Sequence, residues 1–313
     1  MYEKTRAVGC DLAIEEHELL AKSHIDEDYE DGIFVEEEKD GEFIEVTRVV
    51  VKNEIGERTL KKPIGKYVTI GMPERFYGQQ EIYEQMCKRC AKEIKNITDK
   101  KLLSENDTVL VVGLGNSRMT ADALGPKVVE SLMITRHLKS YIPDEIDEGI
   151  RPVCAISPGV LGTTGIETEE IVRSLTNQIK PSLVIAIDAL CSGDIKRINT
   201  TIQITDTGIT PGAGVGNKRK TIDENTMGVP VVAIGVPTVV DAATIAIAGI
   251  ETVSDKEFDE NRIREAYRNR FGNMIVTPKD VESIVSDISS VIANGINISL
   301  HKGITLKDID RYV

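Results

Sequence analysis

Two aspartates, each closing an apolar run, carry the chemistry this sequence offers. Val109-Leu-Val-Val112 leads through Gly113-Leu-Gly-Asn116 to Thr120-Ala-Asp122, and Val184-Ile-Ala-Ile187 leads directly to Asp188. A continuous, largely β-branched run of this kind reads as a strand buried on both faces. A carboxylate directly after four buried positions is costly unless it is paired or used. For one such residue, the cap of a following turn is an equally good reading. Two parallel strands that each deliver an aspartate change that weighing. Carboxyls a few ångströms apart do not both ionise easily, so one keeps a proton near neutral pH while the other serves as base. Such a pair can activate water against an amide and protonate the leaving amine. Asp188, on the more apolar strand, is the one expected to hold the proton. The same pair could instead hold a metal ion, although metal sites usually recruit a third ligand.

Other motifs fall short of their chemistry. In Gly113-Leu-Gly115-Asn116-Ser-Arg118 a dinucleotide fingerprint requires a third glycine where Arg118 stands, so a tight strand-to-helix turn is the better reading. Pro211-Gly-Ala-Gly-Val-Gly-Asn217-Lys218-Arg219-Lys220 has glycines and cations, but Asn217 interrupts the phosphate-loop pattern. It reads as a loop that contacts substrate or an interface. Asn116, Arg118, Asn217, Lys218 and Arg219 are therefore substrate-contact candidates rather than cofactor ligands. Cys87-Lys-Arg-Cys90 sits inside a helical pattern instead of opening a helix after a strand, which suits structural thiols better than a redox pair. The four histidines form no HExxH, and neither Ser157 nor Ser192 sits in a nucleophile elbow. No metal set and no cofactor is expected.

The elements that must position the aspartates alternate. Strand-like runs fall at 108–113, 152–156, 182–187, 199–204, 230–235 and 273–276, and helical runs at about 122–137, 167–179, 238–250 and 278–300. Such alternation predicts an α/β fold with a central, mostly parallel sheet flanked by helices. Thr277, Pro278 and Asp280 read as cap, first residue and capping-box partner of the last helix. Ahead of this core, Phe43–Val51 and Tyr67–Ile70 read as paired strands, and 79–97 as an amphipathic helix with Ile82, Met86, Cys90 and Ile94 on one face. The acidic stretch 15–46 reads as a solvated face or loop. One domain over 11–313 is expected, with 11–100 an N-terminal β-containing elaboration of a 107–313 core.

Composition narrows the class. With 313 residues, 41% hydrophobic and 28% charged, the chain is that of a globular protein with a sizeable core. A net charge of -13 argues against a nucleic-acid backbone binder. Five cysteines suggest reduced thiols. No apolar leader and no membrane-length segment stand out, so a cytoplasmic location is expected.

Several blocks also carry a resemblance. Thr120-Ala-Asp122-Ala-Leu-Gly-Pro126, Arg151-Pro-Val-Cys-Ala-Ile-Ser-Pro-Gly159, Gly165-Ile-Glu-Thr168, Ala186-Ile-Asp188-Ala-Leu190, Asn199-Thr-Thr-Ile-Gln203, Pro211–Lys220 and Gly235-Val-Pro-Thr-Val-Val-Asp241 resemble the germination proteases of spore-forming bacteria. The match runs from about 107 to 246 and resumes at Val276-Thr-Pro-Lys279. Asp11-Leu-Ala-Ile-Glu15 resembles the segment at which that family's precursor is trimmed, with Cys10 where threonine is expected. The resemblance implies an endopeptidase that begins the degradation of small acid-soluble spore proteins in the spore core. It further implies a zymogen that removes its own short propeptide (here 1–10, with Gly9, Cys10 and Asp11 at the processing region), a homotetramer, and a fold similar to hydrogenase maturation proteases. The family's two proposed catalytic aspartates fall on Asp122 and Asp188. Two other readings are a metal-dependent hydrolase on the same fold and a non-enzymatic binding protein.

Overall fold

A computed structural model describes residues 11–22, 32–73, 79–99, 101–102, 104–215, 219–254 and 258–309. Nine described strands form one sheet: β1 (Ile33–Asp40), β2 (Ile44–Val51), β3 (Gly65–Gly71), β4 (Val109–Gly113), β5 (Val153–Ile156), β6 (Leu183–Ser192), β7 (Thr201–Thr205), β8 (Val231–Asp241) and β9 (Ile275–Val276). Their order is β1-β2-β3-β7-β8-β6-β4-β5, with β9 beside β8. The block β8-β6-β4-β5 is parallel throughout. It is the α/β core that the alternation predicts. Antiparallel strands extend it on the β7 side. The N-terminal strands join the same sheet through β3 and β7.

Seven helices carry most of the packing: α1 (Ala13–Lys22), α2 (Gln80–Thr98), α3 (Leu124–Glu130), α4 (Thr168–Ile179), α5 (Ala242–Val253), α6 (Glu260–Phe271) and α7 (Val281–Leu300). The strand alternation assigns them to faces. Val109, Val111, Leu183, Ile185 and Ile187 point into one core with Met86, Ile94, Leu124, Val128, Ile288 and Ile292, drawn from α2, α3 and α7. Leu110, Val112, Val184 and Ala186 point to the other face and pack with Val172 of α4. By the same alternation Asp188 projects on this second face. Helix α7 is long and apolar enough to suit a bilayer by length and composition, yet its apolar side is spent on the core against α2 and α3.

Several boundaries differ from the sequence reading. Strand β6 continues to Ser192, so Asp188 lies within the strand rather than after it. Strand β8 runs to Asp241, and the helix expected from 238 begins at Ala242, capped by Asp241 Oδ1 accepting the Ala243 N–H at 2.9 Å. The helix expected over 122–137 is instead a 3-10 turn (Thr120–Asp122), α3, and a short helix at Arg136–Tyr141. Thr135 breaks it: its hydroxyl donates to the Arg151 carbonyl and accepts the Val153 N–H, pinning the chain to the start of β5. Thr277 does not cap α7, because its hydroxyl donates to the Thr238 carbonyl at 2.8 Å, and Asp280 takes the cap position instead. Glu36–Glu38, expected on a solvated face or in a loop, lie in β1 with Glu36 and Glu37 exposed, an edge strand whose charges discourage pairing with another sheet.

Candidate active site

The turn after β4 brings Asp122 back toward β6. Gly113 lies opposite Ile187, and the next rung is the Leu114 N–H donating to the Ile187 carbonyl at 2.8 Å. Gly115 then adopts φ +112°, and a Cβ there would stand 2.0 Å from the Asp122 carbonyl oxygen, so only glycine fits. The Asn116 N–H donates to Asp122 Oδ2 at 2.8 Å, and Asn116 Oδ1 accepts the Arg118 N–H at 3.0 Å. From β8, the Thr238 hydroxyl donates to the Ala121 carbonyl at 2.6 Å and fixes the 3-10 turn. The close approach that a dinucleotide fingerprint makes with its third glycine is made here by Gly113 against Gly125, whose carbonyl oxygen is 2.2 Å from an added Cβ.

Asp188 is 5% exposed and accepts the Ala189 N–H at 2.9 Å. Burial pushes its carboxyl well above the usual carboxylate range, and the negative charges of Asp122 and Asp11 push it further. Asp122 is also raised by burial, but the Asn116 N–H favours its charged form. The charge of Asp122 thus reaches Asp188, and burial raises both carboxyls.

A third carboxylate accompanies the pair. Asp11 donates its N–H to the Cys191 carbonyl at 3.2 Å and accepts the Cys191 N–H at its Oδ2 at 3.0 Å. The chain that follows is anchored along the end of β6. Leu12 and Ile14 pack with Leu190, and the Ala13 N–H donates to Gln203 Oε1 at 2.7 Å. Glu15, 5% exposed, accepts the Ser192 hydroxyl at 2.5 Å and the N–H groups of Gly193 and Asp194 at 3.0 and 3.3 Å. Lys62, 8% exposed, donates from Nζ to the Asp11 carbonyl at 2.9 Å. Gly214 closes over this contact, and a Cβ there would stand 2.2 Å from Asp11 Oδ2. That approach accounts for one glycine of the Pro211–Lys220 block.

The remaining candidates separate. Asn116 shapes the Asp122 turn through its backbone, whereas Arg118 is exposed. Arg219 reaches Glu167 at 3.5 Å. Gly9, Cys10, Asn217 and Lys218 lie outside the described residues. Cys191 is no nucleophile, since burial and nearby carboxylates push its thiol up to about 12. Cys87 and Cys90 are buried in the core, and Cys87 is likewise pushed up to about 12. Among the described residues no three His, Cys, Asp or Glu side chains converge as a metal-holding group. Sequence reasoning missed Lys62 and Gln203 as parts of this assembly. Only Gln203 left a signal, inside a block that resembles a known family.

Comparison with known proteins decides the family. A family model described as germination protease matches residues 13–265 and 247–313. The chain belongs to the germination protease family. It is a peptidase. The germination protease of Clostridium tetani is 46% identical over 98% of this chain and 99% of its own length. Those of Caldanaerobacter subterraneus and Bacillus subtilis are 42% and 36% identical, each over 97% of this chain. Among solved structures, a nickel–iron hydrogenase maturation protease from Thermococcus kodakarensis overlays 65% of this chain and 98% of its own at 17% identity and a TM-score of 0.33, too loose to bear on the chemistry.

Proposed function

We propose that this germination protease cuts small acid-soluble spore proteins in the spore core, and that Asp122 and Asp188 perform the hydrolysis. The observation that carries the reading is the mutual placement of the two carboxyls. One sits in the turn after β4 and the other within β6, and the charge of Asp122 raises Asp188 inside a buried site. Asp122, ionised, takes a proton from water as the water oxygen adds to the substrate carbonyl carbon. Asp188, protonated, gives its proton to the leaving nitrogen as the C–N bond breaks. The pair then exchanges a proton to reset. The rate should fall in acid as Asp122 is neutralised, and fall in base as Asp188 loses its proton.

The same reading covers self-processing. The segment after residue 10 is already bound beside Asp188, which is the placement a precursor needs to cut its own leader and mature into a homotetramer. Asp122→Asn and Asp188→Asn, each assayed for self-trimming and for cleavage of a spore-protein substrate, test it. Both activities should be lost in each variant, and full activity in both would eliminate the pair.

A further inference from the structure

We propose that the carboxyl-terminal half of the β5 edge, from Ala155 to Ser157, together with the loop that follows it, is a substrate-binding site where an extended segment of the spore-protein chain adds to the sheet as a further strand. The proposal rests on the substrate reading above and concerns a part of the substrate away from the bond that is cut. Strand β5 ends the sheet order, with β4 as its one described partner.

Backbone groups along β5 alternate between its two sides. The Val109 N–H donates to the Pro152 carbonyl at 3.0 Å, so Pro152, Cys154 and Ile156 turn their polar groups to β4. Val153, Ala155 and Ser157 turn theirs outward. At Val153 that outer row is closed, because its N–H donates to the Thr135 hydroxyl at 2.9 Å and its carbonyl accepts the Thr135 N–H at 3.0 Å. The covering chain then turns away as the short helix Arg136–Tyr141. Among the described residues nothing bonds the outward N–H and carbonyl of Ala155 or Ser157. A row of alternating donors and acceptors along an edge is what a second polypeptide backbone matches.

The two edges of the sheet are treated differently. At the far edge, β1 presents the exposed Glu36 and Glu37, which resist a new strand. From Pro152 to Ile166 there is no charged residue at all. Much of this neutral stretch lies on the surface: Ser157 and 162–166 are exposed, and a side chain at Gly162 or Gly165 would meet nothing within 4 Å. The open edge therefore continues into an uncharged ledge with room beside it.

It is also level with the reaction. Ile156 lies opposite Val112, and the next residue of β4, Gly113, lies opposite Ile187, the neighbour of Asp188. Strands stand about 4.8 Å apart, so a strand added outside β5 runs about 14 Å from β6, roughly four residues of extended chain. A substrate held there by its main chain has its scissile bond about that many residues away. Only a chain that is already extended can make these bonds.

The test is the kinetics of spore-protein cleavage by the purified protein. Proline is tolerated on an edge strand where its nitrogen faces outward, and there it removes the donor without touching the ladder to β4. Ala155→Pro and Ser157→Pro should each raise KM for an intact spore protein by roughly two- to tenfold, the worth of one hydrogen bond, with kcat at saturation retained. Ser157 is exposed and lies beyond the strand, so its variant serves if Ala155→Pro does not fold. The rise in KM should vanish on a peptide with about three residues on either side of the cut. In the free protein, hydrogen exchange should be fast at the Ala155 and Ser157 amides and slow at Val153. Wild-type KM in both variants, or an equal rise on the short peptide, would overturn the proposal. So would slow Ala155 and Ser157 amides in the free protein; if they speed up on dilution, a second copy of the chain fills the edge. If the wild type leaves the spore protein uncut, it is the substrate reading that fails, and the proposal falls with it.

Discussion

Two clusters of carboxylates sit in this molecule, and they are built on opposite principles. At the β1–β2–α2 corner, Arg89 clasps Glu38 through both guanidinium ends at 2.7 and 2.6 Å, reaches Asp40 at 3.0 Å, and meets Glu93 at 3.0 Å. Arg48 grips Glu93 at 2.6 Å and Glu38 at 2.7 Å. The Arg89 and Arg48 hydrogen bonds hold the Glu38 carboxyl far below the usual carboxylate range. Within β6 of the parallel block, the charges that reach Asp188 are both negative and its carboxyl goes up, burial being the larger cause. The same side chain is made a strong anion in one place and a reluctant one in the other. The first arrangement holds strands to a helix, whereas the second leaves a buried carboxyl that favours its proton.

Breaking the second cluster should have the largest effect on function. Asp188→Asn and Asp122→Asn should each lower substrate cleavage by at least about 10³-fold, measured on a spore-protein substrate, since general acid and base contribute about 10²–10⁴-fold. Stability should not follow activity. Asp188→Asn should melt no lower than wild type at pH 8, because burying that carboxylate opposes folding.

Breaking the first cluster should do the reverse. Glu93→Gln strips the charge from a carboxylate that is 1% exposed between two arginines. Denaturant unfolding should show a loss of about 3 kcal/mol, while self-trimming at a temperature well below the melt stays at the wild-type rate. A smaller effect on the catalytic side is expected from Gly214→Ala, whose methyl would displace Asp11. Self-trimming should slow by roughly tenfold, with Asp122 and Asp188 intact, since small misplacements of a reacting bond are costly.

The finest distinction between the clusters is their opposite response to pH. Glu38, lowered in the folded state, adds stability that is present above its unfolded pKa of about 4.3 and is lost as pH falls toward its folded value. Wild type and Glu38→Gln should therefore converge in melting temperature in strong acid. Asp188, raised in the folded state, subtracts stability as pH climbs through about 3.9, the ordinary aspartate value. The gap between Asp188→Asn and wild type should thus close in acid and open toward neutrality. Parallel curves for all three proteins would mean that neither cluster differs electrostatically from its surroundings.

The strands of the parallel block were legible because a long, largely β-branched apolar run is a pattern that little besides a buried strand produces, and Asp188 is the single carboxylate inside one such run. The continuation of β6 and β8 was not. Leu190-Cys-Ser192 and Pro237-Thr-Val-Val-Asp241 carry small and polar residues that read as loop or helix start, and their pairing with each other, and of Val240 and Asp241 with β9, keeps them extended. Thr135 and Thr277 look like ordinary helix residues in sequence, whereas their hydroxyls are committed to distant carbonyls. The arginine–glutamate corner was hidden for a related reason. Glu38 and Arg89 stand far apart in the chain, and an acidic run carries no mark of the cations that will meet it. Lys62 is the plainest case, one lysine among many until the fold lays Asp11 against it.

The buried thiol beneath Asp11 gives this arrangement an observable of its own. Cys191 is 2% exposed and bonded through its backbone to both ends of Asp11. A maleimide or iodoacetamide reacts with it only when that strand end is uncovered. Its labelling rate is consequently a clock for how often the segment from Asp11 to Glu15 lifts off its seat.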